Sequence, residues 1–233
     1  MKKLSLILLA MMVSLLASAQ TIEQTYHFSQ PSISHIQGYE QIQFKNCMQS
    51  ALAGQPSLPW QSVSLMLPQG QEAVAIEVEL SDFQTMEGSH NLYPYQTALA
   101  YSNPVRKQFE KDENLYASKS VYPAKAYGNL STQYLNGVGF AFSAFTPVQY
   151  VPATGEVRYA TKAIVRVTTA ASKSDQTHKL WLNGDNATRA MRLAQNPDML
   201  QTYNSKGRTN GGYDLLVVTK QQYVSAFDEY VAF

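Results

Sequence analysis

Every second residue from Val157 to Val167 is apolar except Thr161, and the charged residues fall only between them. Val157, Tyr159, Ala163, Val165 and Val167, with Thr161 in the same phase, alternate with Glu156, Arg158, Lys162 and Arg166. Side chains of an extended backbone point to opposite faces in turn, so this period of two specifies a strand with one buried and one solvated face. Val74, Ile76, Val78 and Leu80 repeat the pattern against Ala75, Glu77 and Glu79. Val148 to Val151 runs into Pro152-Ala153-Thr154-Gly155, where proline presets a turn and glycine supplies positive φ, so a hairpin is predicted. Leu65-Met66-Leu67-Pro68-Gln69-Gly70 predicts another strand with a Pro/Gly turn, and Leu135 to Val148 a glycine-punctuated aromatic strand pair. Short strands, frequent turn residues and no intervening helical repeat predict a mainly β fold, an antiparallel β-sandwich over residues 20–170.

Ahead of it, Met1-Lys2-Lys3, the apolar run Leu4 to Leu16 and Ala17-Ser18-Ala19 have the form of a secretory signal peptide over residues 1–19, cleaved between Ala19 and Gln20. The run is too short for a comfortable membrane span, so no membrane association is predicted after cleavage. The chain carries 18 Lys and Arg against 17 Asp and Glu, and losing Lys2 and Lys3 leaves the signs nearly balanced. That balance gives no electrostatic footprint for nucleic acid or acidic lipid. Cys47 is the single cysteine, so the sandwich must be held by its core rather than by an internal disulfide.

Two segments interrupt the strand signals. Ser102 to Asn114 is charged and poor in strand formers, a long exposed loop or short helix carrying Arg106 and Lys107. Asn186 to Asn196 places Ala187, Ala190, Met191 and Ala194 on one face, with Asp185 or Asn186 as cap and Pro197 as stop, and predicts a helix. Gln201 to Gly212 is polar and glycine-rich, an exposed linker that completes a junction over residues 171–212. Beyond it, Leu215 to Val218 is a continuous apolar run suited to a buried parallel strand. Thr219 is placed to cap a following amphipathic helix on Tyr223, Val224, Phe227, Tyr230 and Val231. Strand then helix is the start of an α/β unit, so residues 213–233 are predicted to open a second, incomplete domain.

Chemistry-bearing residues are sparse. Cys47 lies in Lys45-Asn46-Cys47-Met48-Gln49 without a glycine-rich turn or a strand-to-helix switch to expose a thiolate, and reads as a small, partly buried hydrophobe or an idle thiol. His27, His35, His90 and His178 show no ligand spacing and read as surface or edge-strand side chains, so no metal or other cofactor is predicted. Glu77 and Glu79 share the solvent face of one strand, and Asp112-Glu113 sits in a charged loop. Lys206 and Arg208 lie in the glycine-rich linker, where a protease can most easily unfold a segment into its cleft.

Taken in order, several motifs resemble one family. Ala53-Gly54-Gln55-Pro56-Ser57-Leu58-Pro59, Leu67-Pro68-Gln69-Gly70, Tyr122-Pro123, Val138 to Phe145 and Pro147 to Val157 with its continuation to Val167 are similar to the N-terminal pro-region of the gingipain-type cysteine peptidases secreted by Bacteroidetes. Tyr213 to Thr219, with Tyr223, Phe227 and Tyr230, resembles the first strand and helix of their caspase-like catalytic domain. The resemblance implies a β-sandwich prodomain that covers the active site, helps its cognate caspase-like peptidase domain to fold, and is removed by cleavage after a basic residue. Arg208 matches that junction best, with Lys206 next. The resemblance also implies a catalytic histidine and cysteine later in the caspase-like domain, and the chain has neither residue after Tyr213. No peptidase activity of its own is therefore predicted. Arg106 and Lys107 are candidates to block the cleft of the cognate domain. A secreted β-sandwich binding or adhesion module is the alternative reading, and leaves the strand and helix after the linker unexplained.

Overall fold

The computed structural model describes residues 20–98, 108–174, 182–204 and 219–227. The chain divides into two units, Met1–Tyr203 and Asn204–Phe233. The first is an antiparallel β-sandwich. One sheet holds β1 (Gln20–His27), β10 (Glu156–Ala171) and β6 (Gln71–Thr85) in that order, with β9 (Val148–Val151) also pairing β10. The other holds β4 (Cys47–Ser50), β5 (Leu58–Met66), β8 (Val138–Phe145) and β7 (Ser131–Leu135) in that order. A separate hairpin pairs β2 (Ser32–Ile36) with β3 (Tyr39–Gln43).

The alternation in β10 is realised as predicted: Val157, Tyr159, Ala163, Val165 and Val167 are all buried. They meet Val63, Leu65, Ala141 and Phe145 of the facing sheet in one core cluster that also holds Ile22, Ile42 and Tyr150. On the outer face Arg166 bridges Glu23 of β1 and Glu79 of β6, at 2.9 and 2.8 Å. The β9–β10 hairpin closes on the predicted four residues, Val151 pairing Glu156 and Gly155 taking φ 73°. The partner strand β6 departs from its simple alternation. The register shifts between Thr168, paired with Ala75, and Thr169, paired with Ala73, so Val74 is the extra residue of a bulge and is exposed.

β8 shows no alternation because both of its faces are covered. Ala141 and Phe145 point into the sandwich, whereas Val138 and Phe140 join Met66, Ala190 and Tyr203 in a second cluster on the far side of the sheet. The third layer is the junction: helix α2 (Gly184–Leu193) and a 3-10 helix over Pro197–Thr202. A short helix α1 (Glu113–Tyr116), N-capped by Asp112, follows the charged loop.

Four expectations are corrected here. Helix α2 begins before Asn186, and its cap is Asn183, whose side chain accepts from the Asn186 N–H at 2.8 Å. Met191 is exposed, because Ala190 and Ala194 are the residues turned toward the sheet. The stretch from Gln201 is not wholly an exposed linker, since Tyr203 is 8% exposed and belongs to the second cluster. In the second unit Gln221–Phe227 forms a 3-10 helix, not the predicted α-helix. The predicted strand Leu215 to Val218, together with Tyr230 and Val231, lies outside the described residues.

Candidate functional site

Ala19, Arg106, Lys107, His178, Lys206 and Arg208 lie outside the described residues, so the structure shows what flanks them. Gln20 is exposed and opens β1, paired with Thr169.

The charged loop is held at its base. The Gln96 side chain acts as a short strand substitute: its Nε2 donates to the carbonyls of Glu110 and Pro94, each at 2.8 Å, and its Oε1 accepts the Glu110 N–H at 3.0 Å. Gly54 is threaded between the two limbs, donating to the Tyr95 carbonyl and accepting from the Asp112 N–H at 2.8 and 2.9 Å. It has φ +80°, and a Cβ there would lie 3.2 Å from the Asp112 nitrogen, so the close approach requires glycine. Beside this neck Phe109, Tyr39 and Tyr93 form a ring cluster with centroids 5.9 to 6.1 Å apart, and Phe109 is 43% exposed. Gln96 and Gly54 escaped sequence reasoning, since each acts through a residue far along the chain.

The junction is held more firmly still. β5 pairs with β4 only over Leu58 to Gln61, which leaves its next residues without a strand on that side. Gln195 and Asn196 fill the gap. The Ser64 N–H donates to Gln195 Oε1 and the Ser64 carbonyl accepts the Gln195 N–H, both at 2.9 Å. Gln195 Nε2 donates to the Ser62 carbonyl at 2.9 Å. The Met66 N–H donates to Asn196 Oδ1 at 2.7 Å, and Asn196 Nδ2 returns a bond to the Met66 carbonyl at 2.9 Å. Ser64 Oγ donates to the Leu193 carbonyl at 2.7 Å, and the Tyr26 hydroxyl donates to Gln195 Oε1 at 2.7 Å. Tyr203 closes the set, its hydroxyl donating to the Leu67 carbonyl at 2.7 Å and accepting the Gly139 N–H at 3.1 Å. Burial pushes that phenol up to about 12, so it stays protonated and able to donate.

Catalytic geometry is absent from the candidates that are described. Cys47 is half-buried on β4 with Gln61 Oε1 3.8 Å from its Sγ, and burial pushes the thiol up to about 11, away from thiolate reactivity. His27 and His35 are exposed as predicted, but His90 is not a surface residue. It is 7% exposed and its Nδ1 lies 2.7 Å from Glu40 Oε2, a contact made across 50 residues of sequence. Two grooves of about 540 and 600 Å³ flank Gln195. The first is lined by Glu23 and Asp198 without histidine or cysteine, and the second by His27 and Lys45 without cysteine or carboxylate. Among the described residues no three His, Cys, Asp or Glu side chains are grouped as a metal site.

Comparison with known proteins gives this arrangement a context. The sequence profile of the Propeptide_C25 family matches residues 12–188. No curated protein sequence matches the chain. Among solved structures, one described as a complex of Porphyromonas gingivalis RgpB pro- and mature domains is similar at 19% identity and TM-score 0.58. The similarity covers 78% of this chain and 95% of that one. A second, described as giving insight into the zymogenic latency of gingipain K from the same organism, is similar at 17% identity and TM-score 0.50. It covers 66% of this chain and 88% of that one. At such identities the structural likeness speaks to the fold.

Proposed function

The chain belongs to the Propeptide_C25 family, a gingipain-type propeptide, and on that footing we propose that it serves as the inhibitory and fold-assisting pro-region of an exported gingipain-like cysteine peptidase. The family match over residues 12–188 carries the reading, because it spans the whole sandwich and reaches into helix α2. The fold suits the role. A sandwich packed around one core, whose described thiol is held protonated, can cover a surface without reacting there. One of the similar solved structures is described as a complex of pro- and mature domains, which favours a cognate caspase-like peptidase domain as the partner of this chain.

In this reading residues 1–19 direct export and are removed between Ala19 and Gln20. Residues 20–170 form the covering body, residues 171–212 the junction, and residues 213–233 begin the peptidase domain. Processing follows Lys206 or Arg208. Arg106 or Lys107 enters the cleft of the peptidase from a loop whose base is fixed by Gln96 and Gly54. A basic side chain presented from a pinned loop loses less conformational freedom on docking than one on a free tail.

The test is inhibition in trans. The chain without its leader, added to the isolated cognate catalytic domain, is expected to suppress its activity and to raise its refolding yield. The double variant Arg106→Ala, Lys107→Ala is expected to weaken inhibition at least about thirtyfold, the scale of truncating one buried charged contact at an interface. An unchanged inhibition constant in the double variant removes these two residues from the cleft. Failure of the parent chain both to inhibit and to assist refolding removes the function itself.

A further inference from the structure

The bonds that Gln195, Asn196 and Tyr203 make to the sandwich bear on where the chain can be cut. Six basic residues lie in the junction: Lys173 and Lys179 ahead of helix α2, Arg189 and Arg192 within it, and Lys206 and Arg208 beyond it. The side chains of Arg189 and Arg192 are exposed, so side-chain access alone would allow recognition at either. A protease must also draw several residues around the scissile bond into an extended form, which requires local unfolding.

We propose that Gln195, Asn196 and Tyr203 form a clasp that withholds Arg189 and Arg192 from processing, so that from helix α2 onward cleavage falls on the basic residues after Asn204. The proposal rests on the reading that processing follows a basic residue, and supplies the reason for its position. The bond after Arg189 leads into Ala190, which is 1% exposed against Met66, Val138 and Phe140. The bond after Arg192 leads into Leu193, whose carbonyl accepts from Ser64 Oγ, and then into Gln195 and Asn196, which occupy the open side of β5. Extending either site breaks those bonds and strips the outer face of the β5–β8 sheet. Tyr203 is held in the same way, with its hydroxyl fixed on both sides and its ring in the second cluster. The clasp thus makes the junction helix part of the pro-region, and the product keeps α2 after cutting.

The prediction is tested by mapping fragments by intact mass after brief exposure of the leaderless chain to trypsin and, separately, to the cognate peptidase. The parent is expected to be cut by trypsin at Lys206 or Arg208 with Arg189 and Arg192 intact, cuts at Lys173 or Lys179 being scored apart because the clasp does not act on them. Asn196→Ala and Tyr203→Phe are each expected to speed cleavage after Arg192 about tenfold or more, because cleavage follows the population of the opened state. Arg158 and Arg166, within β10, serve as an internal control for folding. If a variant is cut there too, it has lost its sandwich, and the milder Ser64→Ala, which removes only the Oγ bond to the Leu193 carbonyl, is read instead. Cleavage of the parent after Arg189 or Arg192 as fast as after Lys206 overturns the clasp, as does an unaltered map in folded variants. The cognate-peptidase arm is separate. If that enzyme leaves Lys206 and Arg208 intact while the trypsin map shifts as stated, the processing reading fails and the clasp stands as a determinant of protease access.

Discussion

Gly155 and Gly70 have nearly the same backbone, φ 73° and 76°, and differ in what surrounds them. A Cβ at Gly70 meets nothing within 4 Å, whereas one at Gly155 would lie 2.7 Å from the His90 nitrogen and 2.9 Å from the His90 oxygen. Gly70→Ala is therefore expected to cost only the left-handed strain of about 1 kcal/mol. Gly155→Ala should cost at least about twice that, since the backbone around His90 must also move. Urea unfolding of the two variants checks the order, and equal losses would show that the His90 segment yields freely. The sequence disclosed the turn at Gly155 because Pro152 and Gly155 bracket it within four residues. It did not disclose His90, since the burial of that ring is set by Glu40 and the Gly155 turn, both remote along the chain. Cys47 was read from neighbours that lack a glycine-rich turn or a strand-to-helix switch, and although the chain turns at Lys45-Asn46, with Asn46 at φ 65°, the thiol stays half-buried on β4. Its thiol should react slowly with a disulfide reagent at pH 8 in the folded chain and at an ordinary rate in denaturant. Equal rates in both states would contradict the upward shift that burial imposes.

Among the elements, the strands with one wet face were readable and the strand with two dry faces was not fully read. Val138 to Phe145 has the composition of an aromatic strand, but its lack of alternation is itself the sign of a third layer, which the junction provides. The hairpin between β7 and β8 carried a plainer signal in Asn136-Gly137, whose φ values of 52° and 85° are those a two-residue hairpin turn needs. The bulge at Val74 was hidden, because a single inserted residue leaves the apolar pattern looking intact while reversing one side chain. Likewise the boundary at Gln201 misled: polar residues there suggest a linker, but one tyrosine with both a ring to bury and a hydroxyl to pair is enough to dock the segment. Phe140 is the side chain most exposed to this arrangement, buried between the sheet and the junction and stacked 5.9 Å from Phe142. Phe140→Ala is expected to destabilise the sandwich by about 3–5 kcal/mol, with the denaturant midpoint as the measurement. A loss near that of an exposed substitution would mean that the junction layer contributes no packing to the sheet.

For the molecule as a whole, the titrating groups that burial shifts in the sandwich share one sign. Cys47 is pushed up to about 11, Tyr122 and Tyr203 to about 12, and Tyr26, Tyr116 and Tyr150 are also raised, each with burial as the leading cause. All six are acids that are neutral when protonated. The unfolded chain gives up these protons near the ordinary values of 9.0 for the thiol and 10.0 for the phenols, while the folded chain still holds them. Through that window the native state binds more protons than the unfolded state, so stability falls as pH rises, and below it the groups contribute no pH dependence. They are spread over the body rather than gathered at one end: Tyr26 on β1, Cys47 on β4, Tyr122 against Tyr150 of β9, Tyr116 on α1 and Tyr203 in the clasp. Alkali should therefore loosen the sandwich and its junction together, not release the clasp alone. The thermal midpoint of the leaderless chain is expected to be insensitive to these groups up to about pH 9 and to drop steeply between pH 10 and 11, with new tryptic cuts at Arg166 and Arg192 appearing at the same pH. Cuts at Arg192 well before any at Arg166 would instead place the weakest shared bond at Tyr203 and separate the junction from the body it is packed on.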